Sequence, residues 1–190
     1  MSNKKRQSLL KGLKADTTDS TKYVQSSFKK SIEWQQVSSI ADRLLIWCNE
    51  KSVREKIAKA NRPETNSKEV QNVLLPKAQD LGFSSEAKGL FSDYKTSALR
   101  PDYYCAVGTS GIILEVERGQ TTANNNDLRN FWKCHICKEA NYLFLFVPKE
   151  LRHNYEMTPR NQYEKVKNRL ESFFTDENYT NVRGLVIFGY

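Results

Sequence analysis

The stretch Arg100–Thr121, RPDYYCAVGTSGIILEVERGQT, sets three carboxylates against two apolar runs. Asp102 follows a proline at the head of the first run, and Glu115 and Glu117 stand inside the second, flanked by Ile112, Ile113, Leu114 and Val116. Both runs are rich in β-branched and aromatic residues and are split by the turn formers GTSG. That pattern predicts a β-hairpin with strands over Asp102–Val107 and Ile112–Arg118. Strand side chains alternate faces, so Glu115 and Glu117 point the same way, with Cα atoms about 7 Å apart. A partner strand carrying Asp102 can add a third acid to that face.

Buried carboxylates without partners are costly, so such a cluster needs a cation or must take up protons. Oxygen-only ligation by few protein groups suits Mg²⁺, with Mn²⁺ as a substitute; metal and acid together can activate water and stabilise charge on a phosphate. The plain alternative is a sheet-edge strand with two solvated glutamates.

Outward from the hairpin, the pattern reads as alternating helices and strands. Upstream, Trp34, Val37, Ala41, Leu44 and Cys48 recur at helical spacing. A short basic helix is expected over Ser52–Ala60, ending before Pro63. Ser67 can cap a helix carrying Val70, Val73, Leu74 and Leu81 in spite of Pro76, and a weak strand is expected near Gly89–Tyr94. Downstream, Asp127 is a good N-cap for a helix whose apolar stripe is Leu128, Phe131, Trp132 and His135. The uninterrupted run ANYLFLFVP reads as a strand covered on both faces, followed by a helix over Gln162–Phe174 and a strand over Val182–Phe188. This order indicates an α/β fold, a mixed central sheet flanked by helices, with an N-terminal helical extension. Three regions are expected: a flexible basic arm over 1–30, the extension over 31–63 and the core over 64–190.

Length and composition suit one globular domain: 190 residues, 38% hydrophobic and 11% aromatic. No apolar run approaches the roughly 18–20 residues of a membrane span, and the basic start lacks a signal peptide's apolar segment. A cytoplasmic protein with reduced cysteines is expected. The net charge of +8 is uneven: residues 1–63 hold 14 Lys+Arg and 6 Asp+Glu, whereas the remainder balances at 16 each. Such asymmetry points to a polyanionic partner, nucleic acid before an anionic membrane, or else to a solvated basic tail.

Pro101-Asp102, a 12-residue gap, then Glu115-Val116-Glu117 resembles the active-site signature of the PD-(D/E)XK nuclease superfamily, which includes many type II restriction endonucleases. The resemblance covers roughly Ser67 to Pro148. It implies a restriction-endonuclease-like core and a Mg²⁺-dependent endonuclease that cuts DNA, acting as a homodimer. Asp102 and Glu115 would be metal ligands, joined by the Val116 carbonyl and by Glu69 on the preceding helix. The signature's usual lysine is here Glu117, which would act as base or water orienter, a variant that some restriction enzymes share. A nucleic-acid-binding module that has lost the chemistry is the alternative. Arg118, Gln120 and Asn125 just after the strand, and Arg129 and Lys133 on the next helix, are candidate nucleic-acid contacts or simply solvated side chains. Cys134-His135-Ile136-Cys137 lacks the second ligand pair of a zinc site and closes rather than opens a helix, so His135 reads as a core histidine.

Overall fold

The computed structural model describes residues 16–85, 91, 94, 99–119, 121–152 and 154–190. It is a mixed α/β fold. The helices are α1 (Ile32–Cys48), α2 (Lys51–Ala60), α3 (Ser67–Asp80), α4 (Asn126–Ile136) and α5 (Tyr163–Glu171). The strands are β1 (Asp19–Val24), β2 (Ser84–Ser85), β3 (Tyr103–Val107), β4 (Ser110–Val116), β5 (Tyr142–Val147), β6 (Glu150–Leu151), β7 (Arg160–Asn161) and β8 (Gly184–Gly189). Six of these strands form one sheet in the order β1-β8-β5-β4-β3-β2. Its centre, β4-β5-β8, is parallel, and both flanks are antiparallel.

Parallel strands need cover on both faces, and the sheet has it. Every residue of β4, β5 and β8 is buried. One face packs Ile112, Leu114, Val116, Phe144, Phe146, Val186 and Phe188 against the apolar stripes of α1, α2 and α3. The other packs Ile113, Leu143, Leu145, Val147, Leu185 and Ile187 against Phe131, Val166 and Leu170 of α4 and α5. Burying each such side chain contributes about 1.5–3 kcal/mol.

The hairpin forms as expected, with a tighter turn: Val107 pairs with Ser110, leaving Gly108 and Thr109 as a two-residue loop. Gly108 has φ +57°, a left-handed conformation that glycine adopts without strain. The turn is docked on α1 by Glu33, whose Oε1 accepts from Thr109 N at 3.1 Å and from Thr109 Oγ1 at 2.9 Å. At Gly184 the ring of Trp34 lies against the backbone, and an added Cβ would sit 2.4 Å from Cζ3.

Two expectations change in the N-terminal third. Within the segment expected as a flexible or loosely docked arm, Asp19–Val24 forms β1, which pairs with β8 from Asp19↔Gly189 to Val24↔Gly184. As an edge strand it is only partly buried, so its polar residues gave no apolar alternation to read. The helices expected as an extension share one core with the sheet: Trp34 stacks on Tyr142 with ring centroids 6.1 Å apart. The weak strand expected near Gly89–Tyr94 falls largely outside the described residues. The strand that is described, β2, pairs Ser84 and Ser85 with Tyr104 and Tyr103. Among the described residues no helix is long and apolar enough to cross a membrane.

Candidate active site

The β3–β4 register, Tyr103↔Leu114, sets Asp102 opposite Glu115 just where the antiparallel ladder ends. There the Asp102 carboxylate takes over from the backbone: Oδ2 accepts from Val116 N at 2.8 Å. Ile113 lies on the α4 and α5 side of the sheet, so Glu115 and Glu117, at the same parity, share that side. The last of these is held beyond the strand by Glu117 N donating to Phe146 O at 2.8 Å and by Tyr190 Oη donating to Glu117 O at 2.7 Å.

Helix α4 lays Asn126, Asn130 and Lys133 over the acids, at helical spacings of four and three that place them on one face. Lys133 Nζ lies 2.5 Å from Glu115 Oε1 and 3.2 Å from the Arg100 carbonyl. Asn130 Nδ2 donates to Glu117 Oε1 at 2.7 Å, and Asn126 Nδ2 to Oε2 at 3.2 Å, so both oxygens of Glu117 are oriented. Helix α3 approaches from the other side. A Gln71 side-chain hydrogen bond and the charge of Lys68 both act on Asp102.

All three carboxyls hold protons more tightly than in water, and burial is the chief cause each time. Glu115 is pushed up to about 8: burial raises it, the Lys133 charge pulls it back, and Asp102 and Glu117 raise it further. Glu117 is raised by burial and by the Asp102 charge, against the Asn130 and Asn126 hydrogen bonds and the Arg129 charge. Glu115 therefore feels the charges of Asp102 and Glu117, and Glu117 feels that of Asp102.

The donor set fits a hard divalent cation in kind and in charge. The donors are carboxylate oxygens, and three of them face a single closely paired ammonium, a deficit of negative charge compensation that a divalent ion would meet. They are not arranged as a ready cage: among the described residues no group of three His, Cys, Asp or Glu side chains stands ready to hold a metal ion. Mg²⁺ retains waters and needs only one or two carboxylates from a protein.

Several expected contacts lie elsewhere. Arg118 turns away from solvent and spends its guanidinium on the α2–α3 connection. Nε donates to Asn61 Oδ1 at 3.2 Å, and the terminal nitrogens donate to the carbonyls of Arg62 and Thr65. Lys133 is not on a solvated face; it is 7% exposed and belongs to the acid cluster. Trp132, expected on the apolar stripe, is 55% exposed, while Asn130 and Lys133 are buried. Asn125 Oδ1 accepts from Arg169 at 2.7 Å, and Asn125 rather than Asp127 precedes the helix. Arg129 is exposed, and Gln120 lies outside the described residues. Glu69 is exposed, and the α3 side chains that act on Asp102 are Gln71 and Lys68. The four cysteines are free and buried, and His135 Nδ1 lies 3.1 Å from Thr180 Oγ1, a satisfied partly buried histidine.

The apolar stripe of α4 masks the face Asn126, Asn130 and Lys133, whose sequence signal is the polar i, i+4, i+7 spacing directly after the acidic strand.

No family model matches the chain, and no curated protein matches it. Among solved structures it is similar to the restriction endonuclease BglII in complex with a DNA 16-mer. The TM-score is 0.44 at 15% identity, covering 92% of this chain and 78% of that one.

Proposed function

We propose that this chain is a Mg²⁺-dependent endonuclease hydrolysing phosphodiester bonds in DNA, a type II restriction endonuclease working as a homodimer. The observation that carries this reading is the cluster of half-buried Asp102 and Glu117 around buried Glu115 and Lys133, an expensive arrangement that no packing requirement explains. The cation, when bound by Asp102 and Glu115 with the Val116 carbonyl, would lower the pKa of water and neutralise charge on the phosphate. Glu117, with both oxygens fixed by Asn126 and Asn130 and its proton affinity raised, is poised to orient the attacking water and take its proton. Lys133 supplies the positive charge that position 117 lacks, from the helix instead of the strand.

Cleavage of mixed-sequence DNA by the purified chain with Mg²⁺, lost in EDTA and in Asp102→Asn and Glu115→Gln, is the expected result. Equal cleavage by wild type and both variants would remove the assignment. The second reading, a nucleic-acid-binding module without chemistry, is favoured by the commitment of Lys133 to Glu115 in an ion pair. Salt-sensitive binding that ignores EDTA, with no nicking, would select it.

A further inference from the structure

Positive charge is concentrated around the turn that Arg118 holds. Residues 51–68 contain six Lys or Arg (Lys51, Arg54, Lys56, Lys59, Arg62, Lys68) against Glu55 and Glu64, a net +4. Within this segment Lys51, Lys56, Lys59, Arg62 and Lys68 are exposed, and none enters an ion pair among the described residues; Lys59, Arg62 and Lys68 are the three that flank the turn held by Arg118.

The turn is fixed in place. Arg118 is one residue beyond Glu117, on the opposite side of the strand, and it binds the end of α2 at Asn61, the Arg62 carbonyl and the Thr65 carbonyl. Thr65 Oγ1 closes the same turn by donating to the carbonyls of Ala60 and Arg62, both at 2.7 Å. Asn66 caps α3, its Oδ1 accepting from Lys68 N at 3.0 Å. The first turn of α3 then reaches the acid cluster, since Tyr103 Oη donates to Gln71 O at 2.9 Å and Lys68 acts on Asp102. One arginine thus ties the acidic strand to the turn that carries Arg62 and lies between Lys59 and Lys68.

We infer that Lys59, Arg62 and Lys68 form the phosphate-gripping edge of the acid cluster, holding nucleic-acid backbone beside the scissile bond. This deepens the nuclease reading and rests on it. Such contacts position a polyanion without reading its sequence. Burying the arginine inside the turn and leaving the turn's own cations outside gives the grip a fixed distance from Glu117.

The test measures binding of a short fluorescein-labelled DNA duplex of mixed sequence by anisotropy, in EDTA, across a salt series. Replacing all three residues by alanine should flatten the slope of log affinity against log salt by about 2 to 3, since each duplex phosphate contact contributes about 0.9. Lys59→Arg with Arg62→Lys and Lys68→Arg should restore it. A control triple, Lys30→Ala, Lys138→Ala and Lys165→Ala, removes the same charge from exposed sites elsewhere. Equal flattening by both triples, or no binding by wild type, overturns the inference. A wild type that binds through this edge but never cuts with Mg²⁺ upholds it and removes the nuclease reading instead.

Discussion

Glu115→Gln should make the protein less dependent on pH, and the size of the effect follows from where Glu115 sits. Its side chain is 6% exposed, so solvent screens it little, and its carboxyl is pushed from an ordinary 4.5 to about 8. The folded pKa lies above the unfolded one. The associated stability is therefore whole below about pH 4.5 and is lost as pH rises through about 8. At about 1.4 kcal/mol per pH unit, the loss between these limits approaches 5 kcal/mol. Glutamine has no proton to lose and escapes this penalty, and it stands in for the neutral carboxyl that Glu115 carries below about pH 8. The variant should thus be close to wild type near pH 5 and gain on it by about 4 kcal/mol by pH 9. Urea unfolding of both proteins in EDTA, at unit pH steps, measures the difference directly. A difference that stays flat within about 1 kcal/mol would refute the claim that Glu115 is the buried, proton-hungry member of the cluster.

Arg118→Ala removes the guanidinium that gathers the α2–α3 turn, and should cost about 2–3 kcal/mol in urea unfolding while speeding amide exchange at Arg62–Thr65. Asn130→Ala frees one oxygen of Glu117 and raises its proton affinity, so the acidic limb of the cleavage pH profile should move to higher pH; an unmoved limb would separate Glu117 from the chemistry. Gly184→Ala drives a methyl into the Trp34 ring and should lower stability by about 1–3 kcal/mol, measured by thermal unfolding, unless Trp34→Leu accompanies it. Mg²⁺ should raise the melting temperature of wild type and leave Asp102→Asn unchanged.

The hairpin, the buried strand Tyr142–Val147 and the helix starting after Ser31 were legible because each carries a strong local pattern. Ser31 does cap its helix, accepting from Trp34 N at 3.1 Å. Strand β1 was not legible: its stability comes from pairing with Gly184–Gly189, some 165 residues away in sequence, and no local periodicity encodes that. In the site, alternation along β4 correctly grouped Glu115 with Glu117. What the sequence concealed was the direction of long polar side chains. Arg118 and Lys133 look like surface cations by type, yet tertiary packing turns one into a turn clamp and the other into a counter-ion. Polar residues inside a helical pattern were read as solvent-facing because burial of a lysine is rare without a partner, and the partner lay 18 positions back on another element.

Tyr190 donates its hydroxyl to the Glu117 carbonyl, 73 positions upstream, while its backbone is stitched to Val147 and Lys149. A phenol hydroxyl at the end of the central sheet therefore braces the backbone that carries Glu117, so that Tyr190→Phe would loosen this acid without touching its carboxylate.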